Sequence, residues 1–345
     1  MLPIVMNSSF VRLAVIDTYT SFIWTTRYYA CGDFELCVDA NLTNVSLFQE
    51  GYYILREDDD HVGIIEDIRI QRNEDGQEIL IVKGRFLESI IGRRIISQQT
   101  ILNGTLSNCI NTLLTNEIIN PSISARQISN FILGSYTISQ TMQAQYTGKN
   151  LLETICAICE TYGIGFKVTL NNSNQFVFKL FQGTDRSYGQ NVNRYVVFSD
   201  TYDNLLSSEY EENYQGIVTD VLVAGEGEGL DRRTLWVSVD NPSGLNRYEA
   251  WKDARNVRSN DGEITDAEYN AQLREDGLES ITEYTTAFAG TVYFGNIVWK
   301  TDVNIGDICT IENSRWGLSI NSRLVEVIES VNESGEYSII PSFGL

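Results

Sequence analysis

Between Phe10 and Arg94 apolar and polar residues alternate in short runs separated by turn-forming residues: FVRLAVID, SFIWTTRYY, FELCVDA, GYYILRE, HVGIIEDIRIQ and EILIVKGRF. A period of two places every second side chain on one face of a strand, so the stretch predicts about six short strands. Turns fall at CGD, EDDD and NEDGQ. The alternation is clearest at Ile68 and Ile70 and again at Ile79 and Ile81, on either side of Asp75-Gly76, a pair that favours a tight hairpin turn. Successive short strands of this kind form a small barrel or a sandwich, which assigns residues 1–97 to a first β-domain.

The period then lengthens. SNCINTLLTNEIIN spaces Cys109, Ile110, Leu113, Leu114 and Ile118 as one face of a helix, with Ser107 as its expected N-cap and Pro121 beyond its end. A second helix follows Asn150, with Glu153 three residues on, Leu151, Leu152, Ile155, Ile158, Cys159 and Tyr162 on one face, and Gly163 to stop it. FKVTL and QFVFKL, joined by Asn171 to Asn174, read as a hairpin, so residues 98–199 predict an α+β unit. From residue 200 strands return and predict a second β-domain to residue 345, with a helical insertion near 240–284. That helix opens at Thr265, with Glu268 at the reciprocal capping position and Ala267, Ala271, Leu278 and Ile281 on one side. Gly277 weakens it by about 1 kcal/mol relative to Ala. The expected class is mainly β with α+β.

The chain has 345 residues, a length that favours two or three cores over one. Lys and Arg number 25 against 46 Asp and Glu, a formal charge of −21 that repels phosphate backbones and anionic headgroups. No basic segment followed by an apolar run opens the chain, and no apolar run is long enough to span a bilayer. Synthesis in a cytoplasm without a membrane anchor is therefore expected. Cys31, Cys37, Cys109, Cys156, Cys159 and Cys309 are too scattered for a secreted disulfide framework and are expected to be reduced.

Candidate chemistry is sparse. His61 is the single histidine, whereas zinc hydrolases draw at least two His ligands and a Ser or Cys nucleophile usually needs a His base. Asp58, Asp59, Asp60 and His61 could hold a cation, but side chains on such a run diverge and a solvated turn is the simpler expectation. Cys156 and Cys159 match C-x-x-C, yet inside a helix rather than at its N-terminus, which favours core packing. Gly225-Glu226-Gly227-Glu228-Gly229 follows a strand, but its two carboxylates repel phosphate and the next segment reads as strand, so it is expected to be a hairpin tip. No cofactor, metal site or catalytic set is predicted.

Seven strings carry a resemblance when taken together and in order: FIWTTRYYACGDFELCVDA, YYILREDDDHVGIIEDIRI, KGRFLESIIGRRII, NLLETICAICETYGIGFKVTL, DRSYGQNVNRYVVFS, LVAGEGEGLDRR and EYSIIPSFG. They resemble the siphovirus and prophage tail-protein family of Gram-positive bacteria, which is similar to the baseplate hub proteins of contractile and non-contractile tails. The resemblance spans nearly the whole chain. It implies a non-enzymatic structural protein at the distal end of the virion tail, with two tube-protein-like β-barrels per chain, three chains forming a ring that closes or extends the tail tube. The implied partners are further copies of the chain, a distal tail protein or tube ring, the tape-measure protein, and tip or receptor-binding proteins that the hub anchors. DNA would pass through the channel without specific binding.

Many such hubs continue into a C-terminal lysin or receptor-binding region, whereas this chain stops at Pro341 to Leu345, so those activities are expected on other polypeptides. An acidic channel wall would keep DNA from binding through Lys and Arg, and Asp58, Asp59, Asp60, Glu226 and Glu228 are the candidate channel-facing acids. Two other functions compete. A carbohydrate-binding tail-tip adhesin would use Trp24, Trp236, Trp251, Trp299 and Trp316, which are spread along the sequence rather than clustered. A cell-wall hydrolase would need a cleft holding a carboxylate of strongly raised pKa.

Overall fold

The computed structural model describes residues 1–72, 76–259, 264–282, 285–292 and 297–344, the side chains of 285–292 and of Leu206 aside. In the first segment the strands are β1 (Ile4–Met6), β2 (Arg12–Val15), β3 (Ser21–Arg27), β4 (Asp33–Asp39), β5 (Tyr53–Leu55), β6 (Val62–Arg72) and β7 (Glu78–Phe86), with a short helix α1 (Leu42–Leu47) after β4. They lie side by side in the order β3-β4-β7-β6-β5-β1-β2. Alternation does the folding: Phe22 and Trp24, Phe34, Leu36 and Val38, and Leu80 and Val82 turn inward and meet Val5, Ile54 and Ile65 in one core. β6 and β7 pair down to Arg72 and Glu78, while Asp75 of the predicted turn lies outside the described residues. Past a register shift at Ile65, β6 runs on beyond β5, leaving Ile68 and Ile70 exposed along an edge.

The middle segment contains β8 (Thr100–Thr105), α2 (Leu106–Leu114), β9 (Phe131–Leu133), β10 (Thr141–Tyr146), α3 (Leu151–Tyr162), β11 (Gly165–Leu170) and β12 (Phe176–Phe181). α3 starts and stops as its sequence predicts. Asn150 Oδ1 accepts from the Leu152 and Glu153 amides, and Gly163 closes the helix at φ +66°. α2 differs by two residues, because Thr105 caps it while the Ser107 hydroxyl is held by the Ile138 backbone. β11 and β12 form the expected hairpin, and β9 adds to β12 in parallel. The apolar faces of α2 and α3 and the inward residues of these strands share a second core.

The last segment holds β13 (Val197–Ser199), β14 (Leu205–Asn213), β15 (Asp220–Ala224), β16 (Thr234–Ser238), β17 (Glu249–Asp253), α4 (Asp266–Leu278), β18 (Thr285–Val292), β19 (Ile308–Asn313), β20 (Leu318–Val331) and β21 (Tyr337–Gly344). β15, β16 and β17 make a separate three-stranded sheet backed by α4. Thr265 and Glu268 form the predicted capping box, but the buried face is Tyr269, Leu273, Asp276 and Gly277 rather than the alanines. Gly277 has a packing reason: a Cβ there would lie 2.6 Å from Val237 and 2.9 Å from Val223, so its absence lets the helix settle onto the sheet.

The remaining strands do not form an isolated unit. β20 is 14 residues long; its first half pairs with β19 and its second half, Glu326–Val331, pairs with β3. One sheet therefore runs from β14 through β18, β21 and β20 into β3 and on to β2, wrapping one core at each end. The fold is mainly β with several sheets, and among the described residues none closes into a barrel.

Candidate functional site

The predicted acidic turn lies between β5 and β6, beside the β3–β20 junction, and is solvated in part: Asp58 and Asp60 are exposed as expected, whereas Asp59 turns inward. The Asp59 side chain is almost fully buried. Its Oδ1 accepts from the His61 amide at 2.8 Å and lies 2.7 Å from His61 Nδ1, while Oδ2 accepts from Trp24 Nε1 at 3.2 Å and from Lys300 Nζ at 2.6 Å. Lys300 also lies 2.9 Å from Glu329 of β20. Glu329 stands directly opposite Trp24 in the β3–β20 register and accepts from Arg56 Nη2 at 3.0 Å and from Tyr337 Oη at 2.8 Å. Arg56, buried over the Trp24 ring, turns its Nε to Asp58 at 2.9 Å. Lys167 of β11 reaches Asp60 at 2.6 Å.

Four carboxylates thus face three fixed cations and the imidazole, drawn from all three segments of the chain. Burial alone raises the Asp59 carboxyl, but His61 and Lys300 more than offset it and hold it well below the usual carboxylate range. For His61 burial acts downward, and the hydrogen bond to Asp59 with the fields of Asp59, Glu88 and Asp60 outweighs it, so the imidazole stays protonated above its ordinary value. Glu329 resists burial in the same way, kept low by Arg56 and then Lys300. Glu88 shows the opposite balance: burial raises it, only partly opposed by His61, while its Oε1 accepts from the Val168 amide at 2.8 Å.

The turn borders an open cleft of about 640 Å³ whose walls include Asp60, Lys167, Gly183, Trp299 and Lys300. One ligand atom from each of Asp59, Asp60 and His61 falls within 4.8 Å of the others, a spacing a divalent ion could use. The Lys300 and Lys167 ammonium groups already sit against those carboxylates, so the arrangement is an ionic clamp holding the two ends of the chain together. The other acidic segment is elsewhere. Glu226 and Glu228 lie in the β15–β16 connection, which forms the predicted hairpin. Glu226 Oε2 accepts from the Ser259 amide at 3.0 Å and its Oε1 lies 3.4 Å from Arg233, whereas Glu228 is exposed. Burial raises Glu226, and the Ser259 contact with Arg233 brings it below its ordinary value. Among the described residues no hydrogen bond or ion pair joins the two acidic segments.

Cys156 and Cys159 lie within α3 as predicted, and all six cysteines are free. Burial pushes the Cys156 thiol up to about 12 and the Cys159 thiol well above its ordinary value, so both are protonated. The sequence reasoning missed Arg56, Lys300 and Glu329. A signal existed for two of them: Arg56 follows the inward Ile54 by two residues and Glu329 follows the inward Val327 by two, so each charge occupies an inward position. Lys300 comes from a loop and carried no such mark.

The architecture is that of tail proteins of phages and prophages. It is similar to the tail protein from Neisseria meningitidis MC58 (11% identity, 100% of this chain and 96% of that one, TM-score 0.58) and to the 43 kDa tail protein of prophage MuSo2 from Shewanella oneidensis (15%, 99% and 98%, TM-score 0.59). It is also similar to prophage tail protein gp18 from Listeria monocytogenes EGD-e (11%, 100% and 94%, TM-score 0.56). No curated protein matches the chain. Residues 3–345 match the model of the siphovirus ReqiPepy6 Gp37-like proteins, and the chain belongs to that family of siphovirus tail proteins. Membership places it in the virion tail. Among the described residues no helix is long and apolar enough to cross a membrane.

Proposed function

We propose that the chain is the structural hub of the tail's distal end: three copies form a ring around a channel, each contributing two tube-protein-like β units, and the ring closes or extends the tail tube and anchors tip proteins. The observation that carries this reading is the single sheet with a core at each end, joined at β3–β20 and locked there by the Arg56–Glu329–Lys300–Asp59 clamp. A ring subunit bearing two equivalent units must hold them at a fixed angle, and a buried ionic lock at their junction does so. Open strand edges support association. β2 and β14 end the sheet, and the outer part of β6 extends past β5 with Ile68 and Ile70 exposed; such edges favour pairing with another chain.

The partners in this reading are other copies of the chain, a distal tail protein or tube ring, the tape-measure protein and tip or receptor-binding proteins, with DNA passing unbound. The half-exposed Asp58 and Asp60 and the exposed Glu228 remain candidates to face the channel, whereas Asp59 and Glu226 are largely spent on internal partners. The role is non-catalytic, since the imidazole and the C-x-x-C thiols are committed to internal contacts. An amber mutation in the gene tests the role: tails should fail to assemble or carry unclosed tips and be rescued by the protein in trans. Normal, infectious particles without the protein would refute it.

A further inference from the structure

The three-stranded sheet has a second face, turned away from α4. Val221, Val223 and Val237 turn toward Tyr269 and Leu273 of α4, so the alternate residues Leu222, Trp236 and Trp251 turn away from it. Their register is shared: Leu222 of the central strand pairs with Trp236 on one side and Trp251 on the other, which puts all three in one row. The two indoles are 46% and 57% exposed. Two strand spacings separate them, roughly 10 Å between backbones. α4 itself is tied to the middle segment, with Tyr162 Oη donating to Glu275 at 2.9 Å and Lys149 Nζ 3.5 Å from Asp276. The row therefore points away from the body of the chain.

Each ring is braced. The Arg247 guanidinium lies 4.9 Å from the Trp236 ring centre and is held by Asp220 and by Glu249 at 2.6 Å. The Arg232 guanidinium lies 5.4 Å from the Trp251 ring centre and is held by Asp253 at 2.6 Å and the Ala224 carbonyl at 2.7 Å. Rings fixed in this way lose little freedom when a ligand arrives.

We propose that this face binds a neutral, extended, β-linked oligosaccharide, with Trp236 and Trp251 as stacking platforms and the accessible Glu249, Asp253 and Arg247 as hydrogen-bonding partners for its hydroxyls. A pyranose presents an apolar C–H face and a polar rim, and the row offers aromatic faces with carboxylates and guanidinium groups beside them. The half-exposed carboxylates of Glu249 and Asp253 outweigh the less exposed guanidinium groups of Arg247 and Arg232, and in a chain of charge −21 they disfavour a polyanion. A protein partner would call for a continuous apolar centre, which the ion pairs on both sides of the row interrupt. A straight row suits an extended β-linked chain; a coiled α-linked chain does not align successive faces.

The inference is independent of the hub reading. Titration calorimetry of the full chain with chitohexaose, cellohexaose and maltohexaose tests it. A β-linked hexasaccharide should bind with a Kd on the order of 0.1–1 mM. Trp236→Ala and Trp251→Ala should each weaken it about tenfold without changing thermal melting or incorporation into tails. Trp316→Ala, at an exposed indole in the β19–β20 turn, should have no effect. Absence of binding to either β-linked probe at about 10 mM overturns the proposal, as does equal binding by the double Trp variant or by maltohexaose. Loss of tail incorporation in the Trp variants, with no glycan binding by the wild type, would make the face a protein contact and overturn it as well.

Discussion

Replacing Arg56 with Met keeps most of the side-chain volume and removes one charge from the clamp. The Arg56 side chain is 0% exposed and that of its partner Glu329 is 2% exposed, so solvent does not screen the pair. The contact with Asp58, whose side chain is 60% exposed, is worth at most ~1 kcal/mol. Breaking a buried pair costs about 3–5 kcal/mol because the remaining charge is left uncompensated. Here Glu329 keeps Lys300 at 2.9 Å and Tyr337 at 2.8 Å, which sets the expectation at the lower end, about 3 kcal/mol. Glu329→Gln in the same background removes the stranded carboxylate, so the double variant should lose about 2 kcal/mol less than the sum of the singles. Equilibrium urea unfolding followed by circular dichroism, on wild type, both singles and the double, measures this. A cost under ~0.5 kcal/mol for Arg56→Met, or strict additivity, would refute the view that these groups act as one lock.

His61 gives a signed pH dependence. Its folded pKa is raised by Asp59, so its contribution is complete below the ordinary imidazole value of about 6.5 and is lost as pH rises through the folded value. The stability gap between wild type and His61→Asn should shrink on going from about pH 6 to pH 9 in urea titrations, and a widening gap would contradict the assignment. Gly277→Ala should lower the melting temperature despite the helix-propensity gain of about 1 kcal/mol, because its Cβ overlaps Val237 and Val223; a stabilised variant would show that α4 shifts freely. Cys156 and Cys159 should resist a disulfide-exchange reagent in the native protein and react once it is unfolded, whereas rapid native labelling would contradict protonated, packed thiols.

What the sequence revealed was local. α3, the β11–β12 hairpin and the capping box at Thr265 could be read because each depends on residues within a few positions of one another. The joining of the two β regions could not, since the β3–β20 pairing spans some three hundred residues and neither strand's alternation names its partner. The acidic turn shows the same limit. Three adjacent aspartates look like a solvated run until Lys300 and Lys167 arrive from other segments to neutralise Asp59 and Asp60. Trp236 and Trp251 lie on strands that do not pair with each other, and they fall in one row only through the shared neighbour Leu222. In the last helix the alanines pointed to the wrong face, because the close approach permitted by Gly277 decides which side packs.

The central claim is that this chain forms the ring at the distal end of the tail tube, and a cryo-EM reconstruction of that end in the assembled particle tests it most directly. The account predicts three copies around an open channel, two β units from each continuing the sixfold tube, with the β3–β20 junction intact in every subunit. A single copy, or a ring lacking six such units, would contradict it.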